Sequence, residues 1–413
     1  LTPWFDYPTF DCSEKHAVVI GAGIAGCQMT WHLSQLGWRV TLVEQAGNIS
    51  SQASGNLAGV ISPKLTAQAS ESEQFYTDAF TYTTEQLKQL ISLGAAIDWH
   101  ACGLLQLAHN DRELKRWNAL KARDFAENFI QLLDKESTAE IAGIACDYPA
   151  SYFPKAGFIN PASFCQALLA NSHYQLIQST EVTQLRRDTN KQHWEIIGDE
   201  QAVIASAETV VICNGQNLNQ FSQTHSIPLG NVLGQTSLAK SSTPHKLKCV
   251  IGHEGYLTPT YDGVNVFGAT YERDYAEISL STDADQHNFS QLKQYLPEWA
   301  EMIVSYESGH AAVRPATPDR YPFAGAVPET SQYIKDYTDL KHGRASQRFP
   351  KATYHHGLFL LGGLGSRGLT TSGYCAHLLS QLMNNQLTIE QGELLNKLHP
   401  ARFLIRQIKR GEL

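Results

Sequence analysis

The chain has 413 residues, 42% of them apolar and 17% charged, with 30 Gly and 16 Pro; this length predicts two or three domains, and the composition excludes a disordered or fibrous chain. No window approaches the ~18 uncharged apolar residues of a membrane span, and the first ten residues carry no basic start followed by an apolar stretch, which predicts a soluble, cytoplasmic protein. Eight scattered cysteines with no C-x-x-C pair fit reduced buried thiols better than a disulfide framework or a zinc site, and a net charge of −8 argues, as a mean, against a nucleic-acid partner.

In chain order, residues 16–20 form a short β-branched apolar run, followed at once by Gly21-Ala22-Gly23-Ile24-Ala25-Gly26. From Ile24 to Leu36 the apolar residues keep helical spacing, Gly37 closes the segment, and residues 39–44 read as a second buried strand. Amphipathic helical patterns follow over 73–93 and 111–133, and mixed strands over 174–257. Within that region, residues 209–213 read as a buried parallel-type strand ending in the turn Asn214-Gly215. Residues 357–363 repeat the pattern, a helix over 371–384 follows, and 241–248 and 341–351 read as surface loops.

Strand, glycine turn, helix and second strand make a dinucleotide-binding fingerprint. Gly21 allows the tight turn, Gly23 lets the backbone approach a pyrophosphate, and Gly26 permits close packing of helix on strand. Glu44, 18 residues past Gly26, is placed to accept from a ribose hydroxyl, which favours NAD or FAD over NADP. Two further segments point to FAD. Small residues after the second strand, including Ala53, Ser54, Gly55 and Asn56, suit a backbone passing close to a large flat ligand. A second glycine-rich turn, with Gly363, Gly365, Ser366, Gly368, Leu369 and Thr370, opens a helix whose N-terminus can stabilise negative charge on a flavin ring. With Gly215 after the 209–213 strand, these are the candidate cofactor residues.

The N-terminal fingerprint, the 53–56 segment, Gly255-Tyr256-Leu257-Thr258-Pro259, residues 313–319 and Gly365-Ser366-Arg367-Gly368-Leu369 together resemble the D-amino-acid and glycine oxidase superfamily. Ser54-Gly55-Asn56 and residues 364–369 resemble more narrowly the FAD-dependent oxidoreductase module of the MnmC family of tRNA wobble-uridine modification. The resemblance covers nearly the whole chain. It implies an α/β plus α+β fold: a Rossmann-like FAD-binding domain of the glutathione-reductase type (12–82, 155–225 and 310–413) with an inserted mixed-sheet substrate domain (83–154 and 226–309), as in glycine oxidase. It further implies that residues 1–11 are a linker from an upstream SAM-dependent methyltransferase domain, the chain, which starts at Leu1, being the isolated flavin module of a longer polypeptide or a stand-alone form.

The implied reaction removes the carboxymethyl group of 5-carboxymethylaminomethyl-(2-thio)uridine as glyoxylate, with non-covalent FAD as oxidant, reoxidised by oxygen. A guanidinium meets a carboxylate in two parallel charge-assisted bonds, and Arg314 and Arg367 match carboxylate-binding positions of glycine-oxidase-like enzymes. Tyr256 is a candidate hydroxyl near the substrate, with a core position as the alternative. No metal-ligand spacing, serine-hydrolase elbow or flavin-attachment motif is present. Two other functions stay open: a small-molecule glycine or sarcosine oxidase using the same arginines and flavin, and a non-catalytic flavin module that positions a fused domain.

The charge is uneven. Residues 341–413 hold 10 basic and 3 acidic residues against 22 and 37 in residues 1–340. RNA responds to the field within a Debye length of ~8 to 10 Å, so tRNA contact is expected only from this last segment: Lys341, Arg344, Arg348 and Lys351 in one acid-free stretch, Lys397, and a helical face of Arg402, Arg406, Lys409 and Arg410.

Overall fold

The computed structural model describes residues 2–343 and 345–413; Arg344 of the basic stretch lies outside them. The β-branched runs assemble a six-stranded sheet in the order Phe323–Pro328, Tyr354–Gly362, Thr209–Ile212, His16–Ile20, Arg39–Val43, Tyr174–Ile177. All neighbours pair in parallel except the first pair, with Ala17 flanked by Thr209 on one side and Val40 on the other. Helices Ile24–Gln35, Glu71–Ser92 and Gly368–Met383 pack together over one face, and the strands read as unbroken apolar runs because both faces are covered. This is the expected Rossmann-like half.

The second large sheet has eight strands in the order Ile303–Ala316, Gly230–Ser241, Asn265–Gly268, Tyr256–Leu257, Val250–Gly252, Leu104–Leu107, Ala150–Phe153, Gln131–Leu133. It is antiparallel except where Val250–Gly252 meets Leu104–Leu107. Its core, with Trp299, Phe267 and Leu292, is separate from that of the parallel sheet. Two three-stranded sheets complete the fold.

Three expectations change. The helix expected over 111–133 ends at Leu120, and residues 131–133 become an edge strand. After the helix the chain turns back, and Arg123 is captured by Glu73 and by the Thr66 carbonyl at 3.0 Å, tertiary bonds that periodicity cannot register. The expected boundaries at 82/83 and 309/310 fall inside a continuous helix, Glu71–Ser92, and a continuous strand, Ile303–Ala316. The segment expected as linker is packed: Trp4 is buried among Tyr333, Tyr337, Ile405 and Ile408, and Phe10 exchanges two backbone bonds with the Asn385 side chain at 2.9 and 2.7 Å.

Candidate functional site

A cavity of about 650 Å³ runs from the C-terminal ends of the parallel strands, where ligands of open α/β sheets bind, to the inner surface of the eight-stranded sheet. The glycine turn forms one wall. Gly21 has φ +98°, and a Cβ there would lie 2.7 Å from the Cys213 carbonyl oxygen. A Cβ on Gly26 would collide with the Gly21 carbonyl, so Gly26 lets the helix sit against the strand and does not itself line the cavity. Ser54 Oγ accepts from the Ile24 N–H at 3.0 Å, fastening the 53–56 segment to the helix start. Gly23 and Ala25 line the wall, and Gly23 at the N-cap has no side chain to cap the first turn, so beyond the Ile24 N–H held by Ser54 the remaining first-turn N–H groups and positive dipole character face the cavity.

Glu44 is buried at 6% exposure, with its carboxylate accepting from Ala22 N–H at 2.7 Å and Ala46 N–H at 2.9 Å. These bonds aim it along the cavity edge and leave lone pairs for ribose hydroxyls. Ala53, Asn56, Gly215, Gly363, Gly365, Ser366, Gly368 and Leu369 also line the cavity. A long cavity with a helix N-terminus and a buried acid at one end, and glycine turns at the other, fits an extended dinucleotide flavin.

Besides Gly26, two predicted cofactor residues lie outside the cavity lining. Gly55 packs against His310, whose ring would stand 3.0 Å from a Cβ, and Thr370 is buried in its helix with its carbonyl accepting from Thr83 Oγ1 at 2.9 Å. Neither lines the cavity. Both sit beside residues that do, which is why motif spacing swept them in.

At the far end the cavity holds all three predicted substrate residues. Arg314 has no hydrogen-bond or ion-pair partner among the described residues, and its guanidinium rests where a Gly234 side chain would be, 2.6 Å from that missing Cβ. Burial pushes its pKa down, opposed by Tyr256 and Tyr271. Arg367 donates to the carbonyls of Ser62 and Pro63 at 3.3 and 3.4 Å and lies 5.7 Å from the Tyr76 ring, again without an acid. The Tyr256 hydroxyl accepts from Asn56 Nδ2 at 2.9 Å and donates to the Ala58 carbonyl at 3.0 Å. Burial raises its pKa despite Asn56 and Arg314, so it stays protonated.

The structure adds residues that no motif marked. Thr180 and Val182 enter because Thr180 N–H bonds the Glu44 carbonyl at 3.0 Å, extending the sheet beyond the last parallel strand. His253 accepts from Gly255 N–H through Nδ1 at 3.0 Å, which puts its proton on Nε2; burial, with His109 adding to it, lowers its pKa to about 4 and keeps it neutral. Tyr271, 58% exposed, stands at the rim. Only tertiary contact brings these to the site.

The basic tail is corrected in part. Arg402 is 2% exposed: it grips Asp319 with two bonds of 3.0 and 2.9 Å, bonds the Tyr321 carbonyl at 2.6 Å, and lies over the Phe323 ring at 4.0 Å. It is a structural pin and cannot touch RNA, because the loop carrying Asp319 covers the start of the helix Arg402–Arg410. Arg406 is half exposed and shares Asp319 at 2.8 Å, while Lys409 and Arg410 are exposed. Lys351 pairs with Asp6 and Lys397 with Glu71. No helix among the described residues is long and apolar enough to cross a membrane.

Known proteins share both the sequence and the shape. The chain is 31% identical over 420 residues, 99% of its length and 62% of the other, to the tRNA 5-methylaminomethyl-2-thiouridine biosynthesis bifunctional protein MnmC of Pseudomonas syringae pv. tomato. It is 28% identical over 416 residues to the protein of the same name from Chromobacterium violaceum, covering 100% of this chain and 63% of that one. The chain thus spans about three-fifths of the length of these relatives. Glycine oxidase from Geobacillus kaustophilus superposes with a TM-score of 0.73 at 20% identity, covering 90% of this chain and 95% of that one. Iminodiacetate oxidase from Chelativorans sp. BNC1 gives 0.71 at 20%, covering 90% and 96%. The sequence pattern of the family described as FAD dependent oxidoreductase matches residues 16–382, and the glycine turn, Glu44 and the cavity all lie within that span. The chain belongs to the FAD dependent oxidoreductase (DAO) family.

Proposed function

We propose that the chain oxidises an N-carboxymethyl amine, the side chain of 5-carboxymethylaminomethyl-(2-thio)uridine at the tRNA wobble position, releasing glyoxylate and leaving the aminomethyl nucleoside. The observation that carries this reading is Arg314, a guanidinium in the cavity wall that no acid neutralises. A buried unpaired cation is costly, and a substrate carboxylate in a bidentate pair removes that cost. When bound between Glu44 and the Gly363–Leu369 turn, FAD supplies the two-electron acceptor for this C–N oxidation, and water supplies the aldehyde oxygen of glyoxylate.

The residues then have separate tasks. Arg314 fixes the carboxylate and with it the position of the adjacent CH₂. Arg367 adds a second positive charge beside the ring end of the site. The Tyr256 hydrogen is committed to the Ala58 carbonyl and one lone pair to Asn56, which leaves an acceptor for the amine N–H and no proton to give. Tyr256 therefore orients the amine through its N–H, while the positive charges of Arg314 and Arg367 in the same cavity favour the neutral amine, the form that can be oxidised.

The MnmC-named relatives, whose name gives tRNA 5-methylaminomethyl-2-thiouridine biosynthesis by a bifunctional protein and of which this chain spans about three-fifths, support tRNA as substrate and a fused second domain as partner; the same reading takes that domain as a methyltransferase, FAD as held non-covalently and the cytoplasm as the place of action. Of the tail, Arg406, Lys409 and Arg410 remain candidate RNA contacts. The test is anaerobic mixing with carboxymethylaminomethyl-tRNA, and separately with glycine or sarcosine, while following flavin absorbance. Selective bleaching by the tRNA supports the reading, whereas bleaching only by glycine or sarcosine replaces it with a small-molecule oxidase. Arg314→Ala should keep bound flavin and lose about 10- to 150-fold in turnover, the worth of a charge-assisted pair.

A further inference from the structure

A group of cations stands beside Arg367, outside the lining of the cavity. Lys64, two residues past the cavity-lining Ser62, holds its ammonium 4.7 Å from the centre of the Tyr76 ring. Arg367 approaches the same ring, and the Tyr76 hydroxyl donates to the Arg320 carbonyl at 2.6 Å. Tyr76 is thus a platform that gathers Lys64, Arg320 and Arg367 from three distant parts of the chain.

The balance of charge there is one-sided. Glu113 is taken by Arg112 and Arg116, Glu73 by Arg123, and Asp319 by Arg402 and Arg406. Lys64, Arg320 and Arg367 have no acid partner among the described residues. Burial first, then Arg367, Arg320 and Arg116, pull the Lys64 pKa down to about 8. Cations crowded without an anion are unfavourable, Lys64 and Arg367 more so for their burial, and their chemistry suits a multiply hydrogen-bonded oxyanion. Arg320 is exposed and follows Asp319, to which the tail's Arg406 is bonded, so the group connects the basic tail with the cavity.

We propose that Lys64 and Arg320, grouped around Tyr76 beside Arg367, form a phosphate subsite for the backbone of a polynucleotide whose modified base enters the cavity. This rests on the RNA-substrate reading above.

The test uses the FAD-loaded protein, an anticodon stem-loop RNA and the free carboxymethylaminomethyl nucleoside. Lys64→Glu/Arg320→Glu should weaken stem-loop binding at least about tenfold and lower the slope of log K against log salt by about 1 to 2. Its turnover of the free nucleoside should stay within about twofold of wild type, since neither side chain is needed for the cavity chemistry. Lys64→Gln, which keeps the stem over Tyr76, should lower the slope by about 0.7 to 0.9 and serves if the double variant misfolds. Unchanged binding and slope in Lys64→Gln, with nucleoside turned over, would overturn the subsite and leave the proposed reaction standing. A wild-type protein that oxidises neither nucleoside nor stem-loop overturns both.

Discussion

Gly234→Ala should disable the substrate site from the opposite strand without weakening the fold. Gly230–Ser241 pairs antiparallel with Ile303–Ala316, setting Val232 opposite Arg314 and Gly234 opposite Ala312. Gly234 is therefore the diagonal neighbour of Arg314 on the same sheet face. A Cβ there would lie 2.6 Å from Cζ and Nη2 and 2.7 Å from Nη1, against an ordinary contact of about 3.5 Å. The guanidinium must retreat by about 1 Å, more than a bidentate bond tolerates, at a cost of about 1.5 to 3 kcal/mol. That is about 10- to 150-fold in kcat/KM for an N-carboxymethyl amine, measured by steady-state oxidation. The atom displaced is the end of a flexible side chain, and Gly234 is not held at positive φ, so Tm and bound flavin should match wild type. Wild-type kcat/KM in Gly234→Ala would refute Arg314 as the carboxylate anchor.

Asp319→Asn should cost about 3 to 5 kcal/mol at neutral pH, read by denaturant unfolding, because it strips the partner from a guanidinium that is 2% exposed. Burial alone would raise Asp319, but the bonds and charges of Arg402 and then Arg406 outweigh it and hold its pKa below 3.8. Its stabilisation is therefore complete above the unfolded value of 3.8 and fades as pH falls through the lower folded value, where variant and wild type should converge. Arg406→Ala, at a half-exposed site on the same carboxylate, should cost only about 0 to 1 kcal/mol. Glu44→Ala removes the acceptor of two N–H groups and should weaken FAD binding by about 1 to 3 kcal/mol, seen as flavin lost on desalting. RNA affinity should fall as pH rises through about 8, where Lys64 deprotonates, and Lys64→Gln should flatten that profile.

The first βαβ unit was legible because its information is local. A β-branched run, a glycine turn that no side chain could make, and an acid ending the next strand each occupy adjacent positions, and the structure keeps them within a residue or two. The same holds for the turn before the helix Gly368–Met383. Where local patterns overreached, as at 111–133, Gly55 and Thr370, a distant partner decided the outcome.

What lay beyond the sequence was which charges are satisfied. Arg314, Arg367 and Arg402 are alike as letters, and helical spacing even set Arg402 on the expected basic face. The fold gives Arg402 a carboxylate and a carbonyl and buries it, while leaving Arg314 and Arg367 in a cavity wall with no acid. Sequence determined the nucleotide-binding frame, since glycine and strand patterns act through neighbours along the chain. Tertiary structure alone decided which arginines are free for a ligand, since an ion pair such as Arg402–Asp319 depends on the distance between segments 83 residues apart in the chain.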